Sequence, residues 1–201
     1  MQPGQHIISL SLGTPAEPSA VAMVDPRTKR EKQDWVNHFD VTHLERFPAG
    51  HSITVIAGRV EKMMSDKRLA KNCHLLLDIT LTGPAPLRVF ENLGLDLESF
   101  DLKKTETAER DVIVAAQMAQ QTNRLHVAED LELAPTLASD ILSYDPKPAA
   151  RAPDLRGGRN NDLVLAVSVA IWWGDDLTWG DPDPDKAPPP VRHSGPGYWM
   201  S

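Results

Sequence analysis

Two aspartates stand where a protein would use a carboxylate to hold a cation. Asp78 lies near the end of the apolar run from Cys73 to Ile79, and Asp162 directly precedes the apolar run from Leu163 to Trp173. A carboxylate beside a hydrophobic core is poorly hydrated, and it is tolerated there when it binds a cation or caps a helix. Ordinary alternatives stay open, because aspartate is also common in turns after strands and at helix N-caps.

Other catalytic and metal-binding patterns are missing from the sequence. The seven histidines show no His-x-x-x-His or Cys/His spacing, which argues against a structural zinc site. Ser9, Ser11 and Ser168 lack the glycine-flanked sequence of a nucleophile elbow. No glycine-rich phosphate loop occurs, so these residues contain no Walker-type ATPase motif. Cation binding by Asp78 and Asp162 is therefore the main chemical hypothesis.

A basic segment lies between residues 145 and 161 of an otherwise acidic chain. The chain has 21 Lys and Arg against 28 Asp and Glu, a net charge of −7, which excludes binding of DNA through overall charge. Within the segment Asp145 and Asp154 oppose four bases: Lys147, Arg151, Arg156 and Arg159. These bases suit contacts with nucleic-acid phosphates, and the alternative is a solvated loop.

The elements that must position these residues alternate between strand and helix patterns, which predicts a mixed α/β domain. His6 to Leu12 and Ala20 to Val24 predict a hairpin, Asp40 to Phe47 an edge strand, and Cys73 to Ile79 a central strand buried on both faces. Helices are predicted after Ser52, over Pro84 to Leu93, around Val112 to Ala119 and over Ala134 to Tyr144, with weaker strands at Leu95 to Leu102 and Leu125 to Val127.

The composition places a domain at residues 1–174 and a poorly ordered, acidic, proline-rich tail at 175–201. The apolar run from Leu163 is eleven residues long, against the roughly 20 that span a membrane, so we expect no membrane contact. The lone Cys73 cannot form an internal disulfide, and the first residues do not form a signal peptide. These features predict a cytoplasmic protein.

The order of several segments resembles the nuclease domain of tailed-phage terminase large subunits. The segments are SLSLGTPAEPSAVAMVD, THLERFPAGHSITVIAGRV, LLLDITLTG, ERDVIVAAQ and NNDLVLAVSVAIWW, and together they span about His6 to Trp173. The resemblance implies a ribonuclease H-like fold, with a mixed sheet flanked by helices. It also implies a DNA endonuclease that uses Mg²⁺ or Mn²⁺, because the family's acids surround two divalent cations.

The resemblance carries site roles onto two positions of this chain. Asp78 matches the family's second acid, at the end of the central strand. Asp162 matches the last aspartate of the family's His-Asp-Asp-Leu-Val signature, which begins the final helix. Both are therefore the expected catalytic acids and metal ligands.

Other positions depart from the family's pattern. Ser11 stands where the family has its first acid, and a neutral hydroxyl is a weak ligand for hard cations. Asn161 and Asn160 replace an aspartate and the histidine of the signature, and Glu109 lies near where relatives have a basic residue. Glu17 is the acid available as a substitute metal ligand after the first strand.

Two functions follow from the resemblance, with a weaker third. The first is an active, metal-dependent endonuclease that acts on double-stranded DNA in phage or prophage packaging, with a separate packaging ATPase or portal protein as partner. The second is a pseudoenzyme, catalytically dead, that is retained as a DNA-binding or assembly module. The third is another ribonuclease H-like enzyme, such as a resolvase or transposase remnant, since a fold alone does not fix function.

Overall fold

A six-stranded mixed sheet organises the chain. The computed structural model describes residues 6–32, 34–67, 69, 72–102, 106–143 and 161–178. The strands are β1 (His6–Ser11), β2 (Ser19–Glu31), β3 (Asp34–Phe47), β4 (Cys73–Asp78), β5 (Glu98–Phe100) and β6 (Leu125–Val127). The helices are α1 (Ile53–Met64), α2 (Leu87–Asn92), α3 (Glu106–Gln121), α4 (Ala134–Ser143) and α5 (Asp162–Thr178).

The sheet has the strand order β5-β4-β1-β2-β3-β6. Strand β2 pairs antiparallel with β1 and with β3, which confirms the predicted hairpin at the start of the chain. Strands β1 and β4, β4 and β5, and β3 and β6 pair in parallel. The predicted mixed α/β class is confirmed, and β4 lies inside the sheet as its continuous apolar run indicated.

Helices cover both faces of the sheet and make two hydrophobic cores. One core joins α3, α4 and α5 to one face, where Ile7, Ala20 and Leu76 point. The other joins α1 and α2 to the opposite face, where Ile8, Val21 and Leu77 point. The side-chain alternation of each strand therefore directs neighbouring residues into opposite layers.

Helix α5 is apolar around most of its circumference because it is covered on two sides. It packs on β1, β2, β3 and β4, and α3 and α4 contact it as well. Residues 161–171 are all buried. This burial explains the apolar run that starts at Leu163 and is interrupted only by Ser168. No helix among the described residues is long and apolar enough to cross a membrane.

Strand β3 corrects the prediction of an edge strand over Asp40 to Phe47. It begins earlier, at Asp34, and β6 pairs with it along Phe39 to Val41, so β3 lies inside the sheet. Local alternation predicts a strand but contains no information about which segment pairs beside it. The partner here is β6, a three-residue strand far along the chain.

Two other elements are shorter than predicted. Helix α2 covers only Leu87–Asn92 of the predicted Pro84 to Leu93, because Pro86 stands at its N-cap and turns precede it. Strand β5 is limited to Glu98–Phe100. The predicted helix after Ser52 is confirmed, and the Ser52 hydroxyl accepts a hydrogen bond from the backbone N–H of Val55.

The end of the domain is only partly described. Helix α5 continues to Thr178, beyond the predicted boundary at residue 174. Its tryptophans pack in the core, since Trp172 and Trp173 contact the ring of Phe100 edge to face. The rest of the predicted tail lies outside the described residues.

Glycine at position 13 is required by the turn between β1 and β2. A Cβ there would lie 2.2 Å from the backbone oxygen of Pro18, so an alanine must push the turn open. We expect Gly13→Ala to lower the free energy of unfolding by about 2 kcal/mol, as overpacking against an immobile group does. Urea denaturation measures the change.

Gly58 in α1 is the matched control, because nothing lies within 4 Å of a Cβ built there. Gly58→Ala should raise the free energy of unfolding by about 0.5–1 kcal/mol through helix propensity. Equal stability of Gly13→Ala and the native chain would show that the turn has room for a side chain.

Candidate functional site

Four residues lie side by side across the sheet at the level where β1 and β4 end. The strand register pairs Asp78 with Ser11, Ser11 with Ala20, and Ala20 with Arg46. Residues opposite one another on paired strands project from the same face. Ala20 belongs to the core under α5, so this site row faces the α5 side of the sheet.

Asp78 and Ser11 form the buried half of the site row. Both side chains are fully buried, and the Ser11 hydroxyl donates a hydrogen bond of 3.1 Å to Oδ2 of Asp78. The backbone N–H of Thr80 donates to Oδ1 of Asp78 at 2.9 Å. Each carboxylate oxygen of Asp78 thus accepts a hydrogen bond from a neutral donor, and Ser11 is one of the partners of the acid that the sequence analysis identified.

Asp162 reaches the site row from the first turn of α5. Its side chain is 1% exposed, and Arg46 donates from Nε to its Oδ2 at 2.8 Å. The Oδ1 atom of Asp162 is buried and has no hydrogen-bond partner among the residues that the structure describes. A negative side chain is favoured at this helix terminus, but half of the carboxylate lacks the donor that burial normally demands.

Asn161 begins helix α5 beside Asp162. It is buried, and its carbonyl oxygen accepts a hydrogen bond from the backbone N–H of Leu165. This bond is the first of the helix, so Asn161 occupies the N-cap position. The position that the resemblance assigns to a second aspartate is thus held by a neutral residue within the helix terminus.

Asp140 of α4 is a third carboxylate near the site row. Its Oδ2 atom lies 3.8 Å from Nη2 of Arg46. Burial raises the pKa of Asp140 above its usual value, Arg46 opposes the rise and the charge of Asp162 adds to it. One guanidinium thus lies between two carboxylates that come from different helices.

Glu17 lies in the turn that follows β1. Its side chain is half-buried, and its Oε2 atom accepts a hydrogen bond of 3.0 Å from the hydroxyl of Thr14. Within the part of the chain that the structure describes, no group of three or more His, Cys, Asp or Glu side chains is arranged to hold a metal ion. The role of Glu17 as a third ligand stays a prediction.

Several predicted residues lie outside the described ranges. These are the basic set Lys147, Arg151, Arg156 and Arg159, together with Asn160. The side chain of Glu109 is likewise outside what the structure describes.

Arg46 and Asp140 are site residues that sequence reasoning missed. One feature of the sequence could have indicated Arg46. It lies two residues after the apolar Leu44, so it is a charged residue on the strand face that α5 covers. Its pairing with Asp162 depends on the β2–β3 register, which shifts at a bulge between Met23 and Val24. Nothing local to Asp140 distinguishes it from other helix acids.

This architecture is the ribonuclease H-like fold of large-terminase nuclease domains, as the sequence resemblance implied. The structure is similar to the large-terminase nuclease of thermophilic phage G20c, with a TM-score of 0.64 and 14% identity over 84% of this chain and 82% of that one. It is also similar to the human cytomegalovirus terminase nuclease domain soaked with Mn, with a TM-score of 0.53 and 16% identity over 87% and 85% of the two chains.

A third similar structure is the nuclease domain of the large terminase from bacteriophage SPP1 with bound Mn. Its TM-score is 0.50, with 13% identity over 86% of this chain and 88% of that one. The G20c nuclease also has a structure with bound magnesium. No protein-family model and no curated protein matches the sequence. At these identities the likeness establishes the fold alone, because one fold can support different functions. The chemistry of the site depends on this chain's own residues.

The side chains in the described part of the chain do not fit a pair of divalent cations. Two such cations need several carboxylates, including one that both can share. Here Ser11 supplies a neutral hydroxyl between the strands, and Arg46 already places a positive charge 2.8 Å from Asp162. Within the described ranges, the unpartnered Oδ1 atom of Asp162 is a feature that suits a cation ligand.

The ion pair between Arg46 and Asp162 should contribute strongly to stability. Arg46→Met leaves a carboxylate that is 1% exposed without its cation, and we expect a loss of about 3 kcal/mol in the free energy of unfolding. The double variant Arg46→Met/Asp162→Asn should recover most of that loss, because no uncompensated charge remains. Guanidinium denaturation of both variants measures the coupling.

Arg27→Met is the matched control for this pair. Arg27 pairs with Asp40, but its side chain is 60% exposed, so the change should be at most about 1 kcal/mol. An Arg46→Met loss as small as that of Arg27→Met would contradict the assignment of a strong, buried pair.

Proposed function

We propose that this chain is a terminase-nuclease-type protein that binds double-stranded DNA during phage or prophage packaging and has lost metal-dependent cleavage. The observation that carries the proposal is Ser11, which is buried and donates to Asp78 at the end of β1. In the fold shared with terminase nucleases, this is where the resemblance expects an acid.

The loss of cleavage follows from the charge at the site row. Metal-dependent cleavage of a phosphodiester needs cations that stabilise the attacking and leaving oxygens. A hydroxyl at position 11 binds such cations far more weakly than a carboxylate does. Asp162 in turn already has a cationic partner in Arg46. Each of these features reduces the affinity of the site for Mg²⁺ or Mn²⁺.

DNA contact is assigned to the basic segment that leads into α5. Its four bases, Lys147, Arg151, Arg156 and Arg159, precede Asn161 and Asp162 directly in sequence. We propose that these bases contact the phosphates of the duplex. Contacts with phosphates need no particular base sequence, so binding is proposed to be sequence-independent.

A second candidate function is a weak nuclease that uses a single divalent cation. It is favoured by the buried Oδ1 atom of Asp162, which has no hydrogen-bond partner. In this alternative Asp78 and Asp162 are the catalytic acids that hold Mg²⁺ or Mn²⁺, and Glu17 is the candidate third ligand. The bound cation would polarise the phosphate and lower the pKa of a water molecule.

In either case, packaging also requires an ATP-driven motor. These residues contain no Walker A motif, so we propose a separate packaging ATPase or portal protein as partner.

Nicking of supercoiled plasmid separates the two candidates. With Mg²⁺ or Mn²⁺, we expect the native chain to nick no faster than Asp78→Asn, because neither binds the cations needed for cleavage. Cleavage by the native chain that Asp78→Asn abolishes would favour the single-cation nuclease instead. Cleavage that Asp78→Asn leaves intact would indicate a contaminating enzyme.

Salt dependence of binding to duplex DNA tests the basic segment. A variant with alanine at the four bases should bind more weakly, and the slope of log K against log salt should fall by about 0.9 for each phosphate that the variant no longer neutralises. Fluorescence anisotropy with two unrelated duplexes measures both quantities. Undetectable DNA binding by the native chain at low salt would contradict the proposed function.

Lys62 and Arg88 provide the control for that experiment. Both are exposed, on α1 and α2, across the sheet from α5. Lys62→Ala/Arg88→Ala should leave the slope unchanged, since this face is not proposed to contact DNA.

A further inference from the structure

We infer that Arg46 is a built-in cation, which takes the place of a divalent metal ion on Asp162 and keeps Mg²⁺ and Mn²⁺ out of the site. The inference deepens the proposed function and rests on it in one respect, the descent of the site from that of a metal nuclease. The positive charge that compensates the buried carboxylate of Asp162 comes from the chain itself, through Arg46.

The burial of Asp162 is the first argument. A carboxylate that is 1% exposed has almost no hydration, so its negative charge is costly unless a positive partner compensates it. The Nε atom of Arg46 lies 2.8 Å from Oδ2 of Asp162, which is the distance of a charge-assisted hydrogen bond. The guanidinium therefore pairs with the oxygen that a metal ion would otherwise neutralise.

The position of Arg46 is the second argument. It stands in the same row as Ser11 and Asp78, on the face covered by α5, rather than on the solvent edge of the sheet. Its Nη2 atom lies 3.8 Å from Oδ2 of Asp140, so it is also within ion-pair distance of a second helix. A different rotamer of Arg46 would break its ion pairs with both Asp140 and Asp162.

The chemistry of guanidinium is the third argument. Arginine stays protonated at all accessible pH values, and its planar donors match carboxylate geometry. A metal ion, by contrast, exchanges with solvent and needs a concentration near its dissociation constant. Ser11 and Arg46 both weaken cation binding beside Asp78 and Asp162. The hydroxyl of Ser11 contributes no negative charge to attract a cation, and the guanidinium of Arg46 repels one.

Mn²⁺ binding tests the inference without relying on nuclease activity. We would titrate the full chain with Mn²⁺ and follow free Mn²⁺ by electron paramagnetic resonance. We expect no binding by the native chain below millimolar Mn²⁺, and at least tenfold tighter binding by Arg46→Met. Arg46→Met/Asp162→Asn should lose that gain, because the carboxylate that Arg46 had covered is gone.

Two further variants control for charge and for folding. Arg46→Lys keeps the positive charge and should bind Mn²⁺ no better than the native chain. Arg27→Met removes an arginine from the exposed pair with Asp40 and should also bind no better. If Arg46→Met is destabilised, Mn²⁺ should raise its melting temperature and leave that of Arg46→Lys unchanged, since a ligand stabilises the state that binds it.

The outcomes that overturn the inference differ from those that overturn the proposed function. Tight Mn²⁺ binding by the native chain, or no gain in a folded Arg46→Met, shows that Arg46 is only a structural partner of Asp162. Ser11→Asp is the deciding variant: if it binds Mn²⁺ tightly while Arg46 is present, Ser11 alone disables the site. Either result leaves DNA binding and plasmid nicking to decide the proposed function independently.

Discussion

Burial of helix α5 against four strands is the packing interaction on which the rest of the molecule depends. The helix contacts β1 to β4 on one side and α3 and α4 on the other. Since its first residues are as buried as its middle, the N-terminus of α5 cannot shift relative to the strands. Asp162 is therefore held against Arg46 of the site row by hydrophobic packing, and the site inherits the rigidity of the core.

The electrostatics of the site follow from that placement. Packing fixes a carboxylate in a position with almost no solvent, where an isolated charge is very unfavourable. Arg46 offsets this cost for Oδ2 of Asp162, whereas Oδ1 remains unpartnered. Burial also raises the pKa of Asp140, so this carboxyl takes up its negative charge at a higher pH than an exposed aspartate does. The site is thus organised around a guanidinium that pairs with two carboxylates.

Local sequence patterns predicted the parts of this arrangement that depend on one element at a time. The positions of Asp78 at a strand end and of Asp162 at a helix start followed from hydrophobic runs and their polar borders. The interior position of β3 and the partnership of Arg46 with Asp162 did not, because both depend on pairing between distant segments. In particular, the bulge between Met23 and Val24 sets the register that places Arg46 opposite Ala20. No single-residue preference indicates such a register.

The position of α5 along the chain also governs how the protein is made on the ribosome. All six strands are synthesised before the helix that covers the central four of them. Until Asp162 and the residues after it emerge, the face of the sheet that carries Ile7, Ala22 and Leu76 lacks its main cover. A nascent chain at this stage exposes a large apolar surface, the kind that chaperones bind and that aggregates when unprotected. Vectorial synthesis therefore makes completion of the core and assembly of the candidate site a single late event.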